Sequence, residues 1–488
     1  MRAKRIVLGA AVAAVVTTAG VAFAADAGAA TVGPDASYLV LVKGNNTAKA
    51  AERVADAGGR VVATYDQIGV LVARSTNAAF ADAVAGGSVE AAASTAGMGT
   101  MLADDGVLEM VDSATVAATG DPTAEPLYGL QWDMAQIDVP AAHQVTTGDS
   151  SIVVGVLDSG ISSTHPDLVS QIDKADSASC IGGVVDTNEA AWNPTTSSHG
   201  THVAGTIAAA INGVGVTGIA PGVKVASVKV VDDAGFIYPE AAVCGFLWAA
   251  DHGMRLTNNS YFIDPWEFNC RNDPRQKPIW QAVERAIRYS TNKGVLNIAA
   301  AGNDNLDLQH KFVDSVSPDD GSGPVEDRVV NGACVDLPAE APGVVAVSAV
   351  GTVALKSYYS SYGLGVIDVA APGGDTRQPN PNVSTTANAI LSTVINLNTH
   401  VNGWGYMQGT SMATPHVVGV AALALSAHPK LQPGALASFL QRTATPLSCP
   451  AGLYDPRPGF AEFQATCTGG AQTSFYGAGL VNAFNAVS

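Results

Sequence analysis

Beyond residue 126, continuous apolar runs typical of buried strands alternate along the chain with stretches typical of helices. Five apolar runs predict strands at residues 152–157, 223–231, 296–301, 344–350 and 366–369. Helical stretches are predicted at residues 200–210, 240–252, 279–292 and 411–426. Strands that are apolar along their length are buried on both faces, because helices cover both sides of a parallel sheet. The region therefore predicts a three-layer α/β domain with a mostly parallel central sheet.

A smaller unit precedes this domain, over residues 37 to about 102. Its pattern predicts strands at residues 38–42, 60–65 and 70–74, helices at 47–57 and 76–85, and a last strand at 107–111. The order β-α-β-β-α-β is that of a small ferredoxin-like α+β sandwich. The unit has no cysteine and no cluster of catalytic residue types. By itself it indicates a binding or folding module.

Three polar stretches separate or interrupt these units. Residues 114–125 are rich in Ala, Thr, Asp, Gly and Pro, and they predict an exposed linker. Residues 264–277 and 304–340 are long polar inserts within the α/β domain, and each carries one cysteine.

The first 25 residues have the pattern of a secretory signal peptide. Arg2, Lys4 and Arg5 precede an apolar run over residues 6–25, which contains the Ala-x-Ala site Ala22-Phe23-Ala24. The run is long enough for an uncleaved membrane anchor to be the alternative. We expect cleavage near Ala24 and a secreted, extracellular protein.

The charge balance supports export. The chain has 25 Lys and Arg residues against 43 Asp and Glu residues, which gives a net charge of −18. Such a charge argues against a nucleic-acid partner or an anionic membrane surface. We expect a soluble monomer that has no membrane contact after signal cleavage.

Six cysteines, all beyond residue 179, predict disulfides in an exported protein. Six cysteines allow fifteen pairings, and the sequence cannot choose among them. A sequential pairing would be Cys180–Cys244, Cys270–Cys334 and Cys449–Cys467. No Cys-x-x-Cys motif occurs, so a zinc site of that type is not expected.

Ser411 opens the last long predicted helix, within Gly409-Thr410-Ser411-Met412-Ala413-Thr414-Pro415. A helix N-terminus has unpaired N–H groups and a partial positive charge, which would favour an oxyanion beside the serine. Pro415 fits the first turn of a helix. Taken alone, Ser411 is better explained as a helix-capping residue.

Two further residues change that interpretation. Asp158 ends a predicted strand and His199 opens a predicted helix, and such junctions lie at the carboxyl edge of a parallel sheet. Together with Ser411 they supply an orienting carboxylate, a base and a nucleophile. His199 and His202 could instead bind zinc, but their spacing lacks the glutamate of a His-Glu-x-x-His motif.

Three motifs around these residues resemble the signature segments of the subtilisin-like serine proteases. They are Asp158-Ser-Gly-Ile, His199-Gly-Thr-His-Val-Ala-Gly and Gly409-Thr-Ser-Met-Ala-Thr-Pro-His, in the family's chain order. The resemblance covers most of residues 126–488. It implies a subtilisin-like endopeptidase that acts on polypeptide substrates and needs no organic cofactor.

The resemblance also implies a role for each catalytic residue. Ser411 would attack the peptide carbonyl, His199 would transfer the proton, and Asp158 would orient His199. Asn303 follows Gly302 and corresponds to the family's oxyanion asparagine, although a turn asparagine is the alternative from sequence alone.

Substrate would bind as an added β-strand between two segments. By resemblance these are Gly235-Phe236-Ile237 and Ser260-Tyr261-Phe262, with Gly302 nearby. Phe262 stands where the family usually has glycine, so it should shrink or reshape the primary pocket unless the nearby insert rotates it away.

The resemblance implies one structural calcium site. Asp167 and Asn212 would supply side-chain oxygens, and Ala210, Val214 and Val216 would supply carbonyls. An all-oxygen set suits calcium, whereas the alternative is a Gly-rich turn. The family's N-terminal ligand has no clear counterpart, although Glu125 is near its place.

The family further implies a role for the N-terminal unit as a propeptide that assists folding and then occupies the active cleft as an intramolecular inhibitor. The implied divisions are a signal peptide at 1–25, a propeptide at 26–120 and a peptidase domain at 121–488. Self-cleavage is expected within residues 114–125.

Three competing functions remain. An esterase or lipase of the α/β-hydrolase type would have a Gly-x-Ser-x-Gly motif and the order Ser…Asp…His, and neither is present. A protease-shaped binding protein would not need every catalytic position filled. Phe262 and the inserts are compatible with a processing protease of narrow specificity.

Overall fold

The computed structural model describes residues 32–95, 106–263, 266–315, 317 and 327–488. The predicted signal peptide lies outside these residues. The N-terminal module contains β1 (Val32–Val42), α1 (Thr47–Asp56), β2 (Gly59–Tyr65), β3 (Val70–Asn77), α2 (Phe80–Val84) and β4 (Val89–Ser94). Its sheet is antiparallel in the order β2-β3-β1-β4, which confirms the predicted ferredoxin-like fold.

The remaining elements belong to the α/β domain. In chain order they are β5 (Glu109–Val111), α3 (Trp132–Gln136), α4 (Val139–His143), β6 (Val153–Asp158), β7 (Ala178–Ser179), α5 (Glu189–Trp192), α6 (His199–Ala208), β8 (Lys224–Lys229), α7 (Pro239–Asp251), β9 (Leu256–Asn259), β10 (Asn269–Cys270), α8 (Lys277–Asn292), β11 (Leu296–Ala300), β12 (Val313–Asp314), β13 (Arg328–Val329), β14 (Cys334–Val335), β15 (Val344–Val350), β16 (Val369–Pro372), β17 (Ile390–Asn396), β18 (Val401–Met407), α9 (Thr410–Ala427), α10 (Pro433–Thr443), β19 (Leu453–Tyr454) and β20 (Ala465–Thr466).

The central sheet has seven strands in the order β16-β15-β11-β9-β6-β8-β7, and every pair is parallel. Successive residues of a strand point to opposite faces. Accordingly, Val156 packs in one apolar cluster with α6 and α9, whereas Leu157 packs in a second cluster with α7 and α8. Helices cover both faces, so the three-layer prediction is confirmed.

The last strand of the N-terminal module was predicted wrongly. The fourth strand is β4, which pairs with β1 through Leu39 and Ala93. Its sequence is rich in alanine, a residue depleted in strands, so the apolar pattern did not mark it. The segment predicted as the last strand instead forms β5, which pairs with β18 of the α/β domain.

The sequence pattern also missed β9, which lies in the centre of the sheet. Three of its four residues are polar, although all four are buried. Hydrogen bonds satisfy most of their polar groups: Thr257 Oγ1 donates to Asn297 Oδ1 (2.8 Å), and Asn259 Nδ2 donates to the Ile298 carbonyl (3.1 Å). A strand whose polar groups are satisfied within the sheet has no apolar run to reveal it.

The disulfides are Cys180–Cys244, Cys270–Cys334 and Cys449–Cys467, so the sequential pairing is confirmed. The second bond joins β10 to β14 and thereby links the two polar inserts. These inserts therefore form one unit beside the carboxyl ends of β9 and β11.

One helix of the described residues, α9, is long and apolar enough to cross a membrane by length and composition. However, 83% of it is buried inside the protein. It is the central helix of the core on its side of the sheet.

Candidate active site

The three candidate residues for acyl transfer lie at the ends of core elements. Asp158 is the last residue of β6, His199 is the first residue of α6, and Ser411 lies in the first turn of α9. The helices α6 and α9 pack against each other on one face of the sheet. The packing of the core therefore determines the backbone positions of these three residues.

Asp158 and His199 are joined directly. The His199 Nδ1 atom lies 2.9 Å from Asp158 Oδ1 and 3.0 Å from Oδ2. Both residues are buried, with 1% of Asp158 and 5% of His199 exposed. The Ser159 backbone N–H also donates to Asp158 Oδ1 (2.7 Å), which holds the carboxylate in place. A carboxylate bound at Nδ1 favours the tautomer whose proton is on Nδ1, and in that tautomer Nε2 is the basic nitrogen.

Ser411 is half-buried and contacts the end of β9. Its Oγ donates to the Ser260 carbonyl (3.2 Å), and Ser260 Oγ donates to the Ser411 carbonyl (2.9 Å). The preceding Gly409 has a φ of 155°, which side chains rarely adopt. This conformation turns the chain sharply into α9, so Ser411 lies where helix N–H groups are unpaired.

Asn303 follows β11 and reaches the same helix end. Its Oδ1 accepts hydrogen bonds from Thr410 N and Thr410 Oγ1, both at 2.9 Å. Its oxygen is held in this way, and its Nδ2 donor lies 3.5 Å from the Cβ position of Gly409. The amide N–H group is therefore next to the nucleophile's own backbone.

The predicted substrate-binding segments lie near this centre. Tyr261 is buried, and this burial, together with the charge of Asp158, raises the pKa of its hydroxyl. Phe262 is half-buried beside it. On the other segment, Gly235 has a φ of 92° in a turn, Phe236 is half-buried and Ile237 is buried.

The predicted calcium loop has donors of the right kind. Asp167 Oδ2 accepts N–H groups from Val216 (3.1 Å) and the Trp404 indole (2.7 Å). Asn212 Oδ1 accepts from Val214 N (2.9 Å), and Glu125 Oε1 accepts from Gly213 N (3.0 Å).

Two buried carboxylate oxygens at this loop, Asp167 Oδ1 and Glu125 Oε2, have no hydrogen-bond partner in the described part of the chain. Burial raises the pKa of Asp167 to about 7, and the charge of Glu125 contributes to that rise. A bound cation would supply a partner for the two oxygens and would lower the pKa of Asp167. However, no three Asp, Glu, His or Cys side chains of the described residues converge in a metal-binding group. The two carboxylates therefore fit a calcium site only together with the side-chain amide oxygen of Asn212 and with backbone carbonyl oxygens.

Comparisons with known proteins agree with this geometry. A sequence profile described as the subtilase family matches residues 149–479. The chain belongs to the subtilase family. It is 31% identical to Subtilisin Savinase from Lederbergia lenta over 352 residues, which is 72% of this chain and 96% of that protein.

A second subtilase relative, fervidolysin from Fervidobacterium pennivorans, is 28% identical over 371 residues, which is 72% of this chain but only 46% of fervidolysin. The crystal structure of the epidermin leader peptide processing serine protease from Staphylococcus aureus covers 93% of this chain and 98% of its own, with a TM-score of 0.67 and 22% identity. At that identity the likeness shows the fold alone. As a subtilase, the protein is a serine endopeptidase, which replaces the esterase alternative.

Sequence reasoning missed several acidic residues beside the subtilase centre. Asp304 directly follows Asn303, Glu267 and Asp336 are buried, and all three lie in or next to the two inserts. The relevant signal was the pair of polar inserts with one cysteine each, because Cys270–Cys334 joins the insert that carries Glu267 to the insert that carries Asp336.

Proposed function

We propose that the protein is a secreted serine endopeptidase that uses Asp158, His199 and Ser411 as its catalytic triad. The observation that carries the proposal is the buried Asp158–His199 hydrogen bond at the sheet edge from which α9 presents Ser411. The targeting pattern of residues 1–25 and the three disulfides support export.

In this mechanism, Ser411 Oγ attacks the carbonyl carbon of the scissile bond while His199 Nε2 accepts the hydroxyl proton. The same imidazole then returns the proton to the leaving amine, and an acyl-enzyme remains. Water, activated by His199, releases the acyl group. Asp158 keeps the imidazole in the tautomer with its proton on Nδ1 and stabilises the imidazolium form.

The negative charge that develops on the substrate oxygen needs donors that are already in position. Asn303 Nδ2 and the Ser411 backbone N–H are the two groups proposed here, because Thr410 holds the Asn303 amide by its oxygen. The partial positive charge at the start of α9 adds to this stabilisation. Substrate backbone would pair with residues 235–237 and 260–262 as an additional strand, next to Gly302.

The N-terminal module is proposed to be a propeptide and intramolecular inhibitor. Apolar residues of its sheet, including Leu39 and Val72, share one buried cluster with α7 and α8. Thr95 Oγ1 donates to Glu240 Oε1 (3.0 Å), and Arg285 forms a 2.7 Å ion pair with Glu90. A module docked in this way would favour the folded enzyme.

Residues 114–124 follow β5 and lie mainly exposed, so a self-cleavage site within 114–125 would be accessible. We expect the Ser411→Ala precursor, purified alone, to remain uncut. Processing at the same bond would instead require another protease.

Calcium is proposed as a structural ion held by Asp167 Oδ1, Glu125 and Asn212 with the carbonyls of Ala210, Val214 and Val216. The ion would supply charge compensation for the two carboxylates. Chelation should lower the melting temperature of the inactive Ser411→Ala protein on the order of 5 °C. Asp167→Asn should remove that response, and an unchanged melting temperature after chelation would count against the site.

The endopeptidase proposal is tested with casein. We expect hydrolysis that is blocked by a serine-directed phosphonate, together with covalent labelling of Ser411. Ser411→Ala should reduce kcat by about 10⁶ without loss of the fold. A folded wild-type protein that neither cleaves casein nor reacts with the phosphonate would instead be a protease-shaped binding protein.

A further inference from the structure

Lys356 is a cation in the interior of the α/β domain. It follows β15, its side chain is completely buried, and its Nζ lies 5.3 Å from the centre of the Tyr362 ring and 5.6 Å from that of Phe475. Removal of a charged group from water is costly. Burial accordingly lowers the pKa of Lys356 to about 7, although the charge of Asp375 acts in the opposite direction. The acyl-transfer steps do not use this charge.

The Lys356 ammonium group donates to three oxygens. They are Asn305 Oδ1 (2.6 Å), the Ser360 carbonyl (2.6 Å) and the Ser357 carbonyl (3.1 Å). An ammonium group has three N–H donors, so each of them has an acceptor here. The oxygens belong to two segments, the one that follows β11 and the one that follows β15. The buried cation therefore joins these two segments.

The segment after β11 carries Asn303, the proposed oxyanion donor. Backbone hydrogen bonds attach it to the segment after β15 on both sides of Asn303. The Ser361 N–H donates to the Gly302 carbonyl (3.0 Å), and the Asn305 N–H donates to the Tyr359 carbonyl (2.7 Å). The backbone position of Asn303 thus depends on the position of the segment after β15.

One peptide unit connects Lys356 to Gly302. Its oxygen, the Ser360 carbonyl, accepts from Nζ, and its N–H group, that of Ser361, donates to the Gly302 carbonyl. A peptide unit is planar and rigid, so a bond that fixes its oxygen also fixes the direction of its N–H group. The ammonium group therefore acts on the residue before Asn303 as well as on Asn305.

Asn305 has a backbone conformation that needs support. Its φ is 53°, in the left-handed region, which costs free energy for a residue with a side chain. The side chain is held at both ends, because Oδ1 accepts from Lys356 while Nδ2 donates to the carbonyls of Glu462 (3.0 Å) and Gln464 (3.3 Å). Without the ammonium group, the turn after Asn303 would lose one of its fixed points.

We propose that Lys356 is a positioning residue for the oxyanion donor: its ammonium group fixes the turn that carries Asn303 before substrate binds. The inference rests on the proposed endopeptidase function and adds to it a residue that lies outside the three signature motifs. A hydrogen-bond donor stabilises developing charge only if it is already in place. A displacement of about 1 Å can cost about 10² in rate.

A purely structural role for the buried cation makes a different prediction. Loss of the ammonium group would then lower the free energy of unfolding, but the folded enzyme would turn over substrate normally. Replacement of Lys356 in the presence and in the absence of the Asn303 donor separates the two roles.

The test compares Lys356→Met, Asn303→Ala and the double variant on one fluorogenic peptide, with active enzyme counted by phosphonate labelling. Methionine fills most of the same space but has no N–H donor. We expect Lys356→Met to lower kcat by about 10- to 100-fold and to leave KM nearly unchanged. In the Asn303→Ala enzyme, the same replacement should change kcat by less than about twofold, because the donor through which Lys356 acts is gone.

Asn305→Gly breaks the same connection from the other side. Glycine adopts a φ of 53° without strain, so this variant should fold, but the side-chain hydrogen bonds of the turn are lost. We expect kcat to fall at least about tenfold, again only while Asn303 is present.

Lys224→Met is the matched control for Lys356→Met. Lys224 begins β8, at the edge of the sheet opposite the catalytic centre, and its Nζ donates to the Ser170 carbonyl (2.6 Å). The replacement makes the same change in charge and size, and it should leave kcat unchanged.

A wild-type kcat in folded Lys356→Met would overturn the inference, and if that variant does not fold, a wild-type kcat in Asn305→Gly would do so. A loss of kcat that is equally large in the Asn303→Ala background would also overturn it, because Lys356 would then act through another group. Failure of the proposed function looks different: the wild-type enzyme itself would cleave no peptide, and the phosphonate would not label Ser411.

Discussion

The catalytic centre and the two polar inserts are built in different ways. At the centre, the key polar atoms are held by the protein itself: Asp158 binds His199, and Asn303 binds Thr410. In the inserts, neither carboxylate oxygen of Asp336 has a hydrogen-bond partner among the described residues. Hydrogen bonds hold the first region, whereas in the second burial raises the pKa of the Asp336 carboxyl group well above its usual range.

The difference follows from what each region is attached to. Asp158, His199, Asn303 and Ser411 lie in or next to the ends of core elements, so burial of apolar area determines their positions. The inserts are polar and are joined by a disulfide and two short strands. We therefore expect mutations at the centre to reduce kcat and loss of the disulfide to loosen the inserts.

The largest effect is expected at the centre, from Asn303→Ala. Loss of the Nδ2 donor should lower kcat by about 10²–10³ and leave KM nearly unchanged, because the donor acts on charge that develops in the transition state. Steady-state kinetics with one peptide substrate measures this.

Since Asn303 also accepts from Thr410, the melting temperature of the variant must be compared with that of the wild type. Asn331→Ala, an exposed asparagine of the insert, serves as the control and should have normal kcat. Near wild-type turnover by a folded Asn303→Ala enzyme would remove Asn303 from the mechanism.

A second prediction compares the disulfide that joins the two polar inserts with a disulfide elsewhere in the domain. Cys270–Cys334 and Cys180–Cys244 both have a sequence separation of 64 residues, so they constrain the unfolded chain equally. Replacing either pair by serine should cost about 2–4 kcal/mol of unfolding free energy. Urea unfolding in the Ser411→Ala background, which avoids self-digestion, measures the loss.

Only the Cys270/Cys334 replacement should also reduce hydrogen-exchange protection in β10 and β14, because only that bond joins the two inserts. Equal protection of β10 and β14 in both disulfide variants would show that the inserts keep their shape without the bond.

The smallest effect concerns the contact between the N-terminal module and α7. Burial raises the pKa of Glu240, and hydrogen bonds and Arg74 offset part of that rise. An acid with a raised pKa binds more protons when buried, so the contact should weaken as pH rises from the ordinary carboxyl range to the raised pKa. Above the raised pKa the loss should level off.

Hydrogen exchange of the module in the full-length Ser411→Ala chain, followed against pH, reports this weakening. Glu240→Gln should make protection less dependent on pH. Glu52→Gln, an exposed position on α1 of the same module, should keep the wild-type dependence. If Glu240→Gln kept it too, Glu240 would not be the titrating group.

Much of the fold was predictable because most sheet strands are apolar along their length. The bounds of β15 and α7 were predicted to within one residue, and both elements are almost wholly buried. The pattern failed for β4, which is rich in alanine, and for β9, which is buried but polar. In those strands, pairing with neighbouring strands decides the structure, and the sequence of the strand alone does not display it.

Predictability also differed among the residues at and near the site. Local motifs identified Asp158, His199, Asn303 and Ser411, because each motif places one residue at the end of a core element. No motif marked Glu267 or Asp336. They are far apart in sequence, and the disulfide joins the two inserts that carry them.

The sequence by itself determined the two-unit architecture, the family and the four residues proposed for catalysis, since these depend on local periodicity and short motifs. Only the tertiary structure decided the route of β5, the desolvation of Asp304 and the joining of the two polar inserts. These properties depend on which distant segments pair and exclude water from one another, and hydrophobic periodicity carries no information about that. For this subtilase, the reaction could be inferred from the chain, whereas the arrangement of the inserts required the fold.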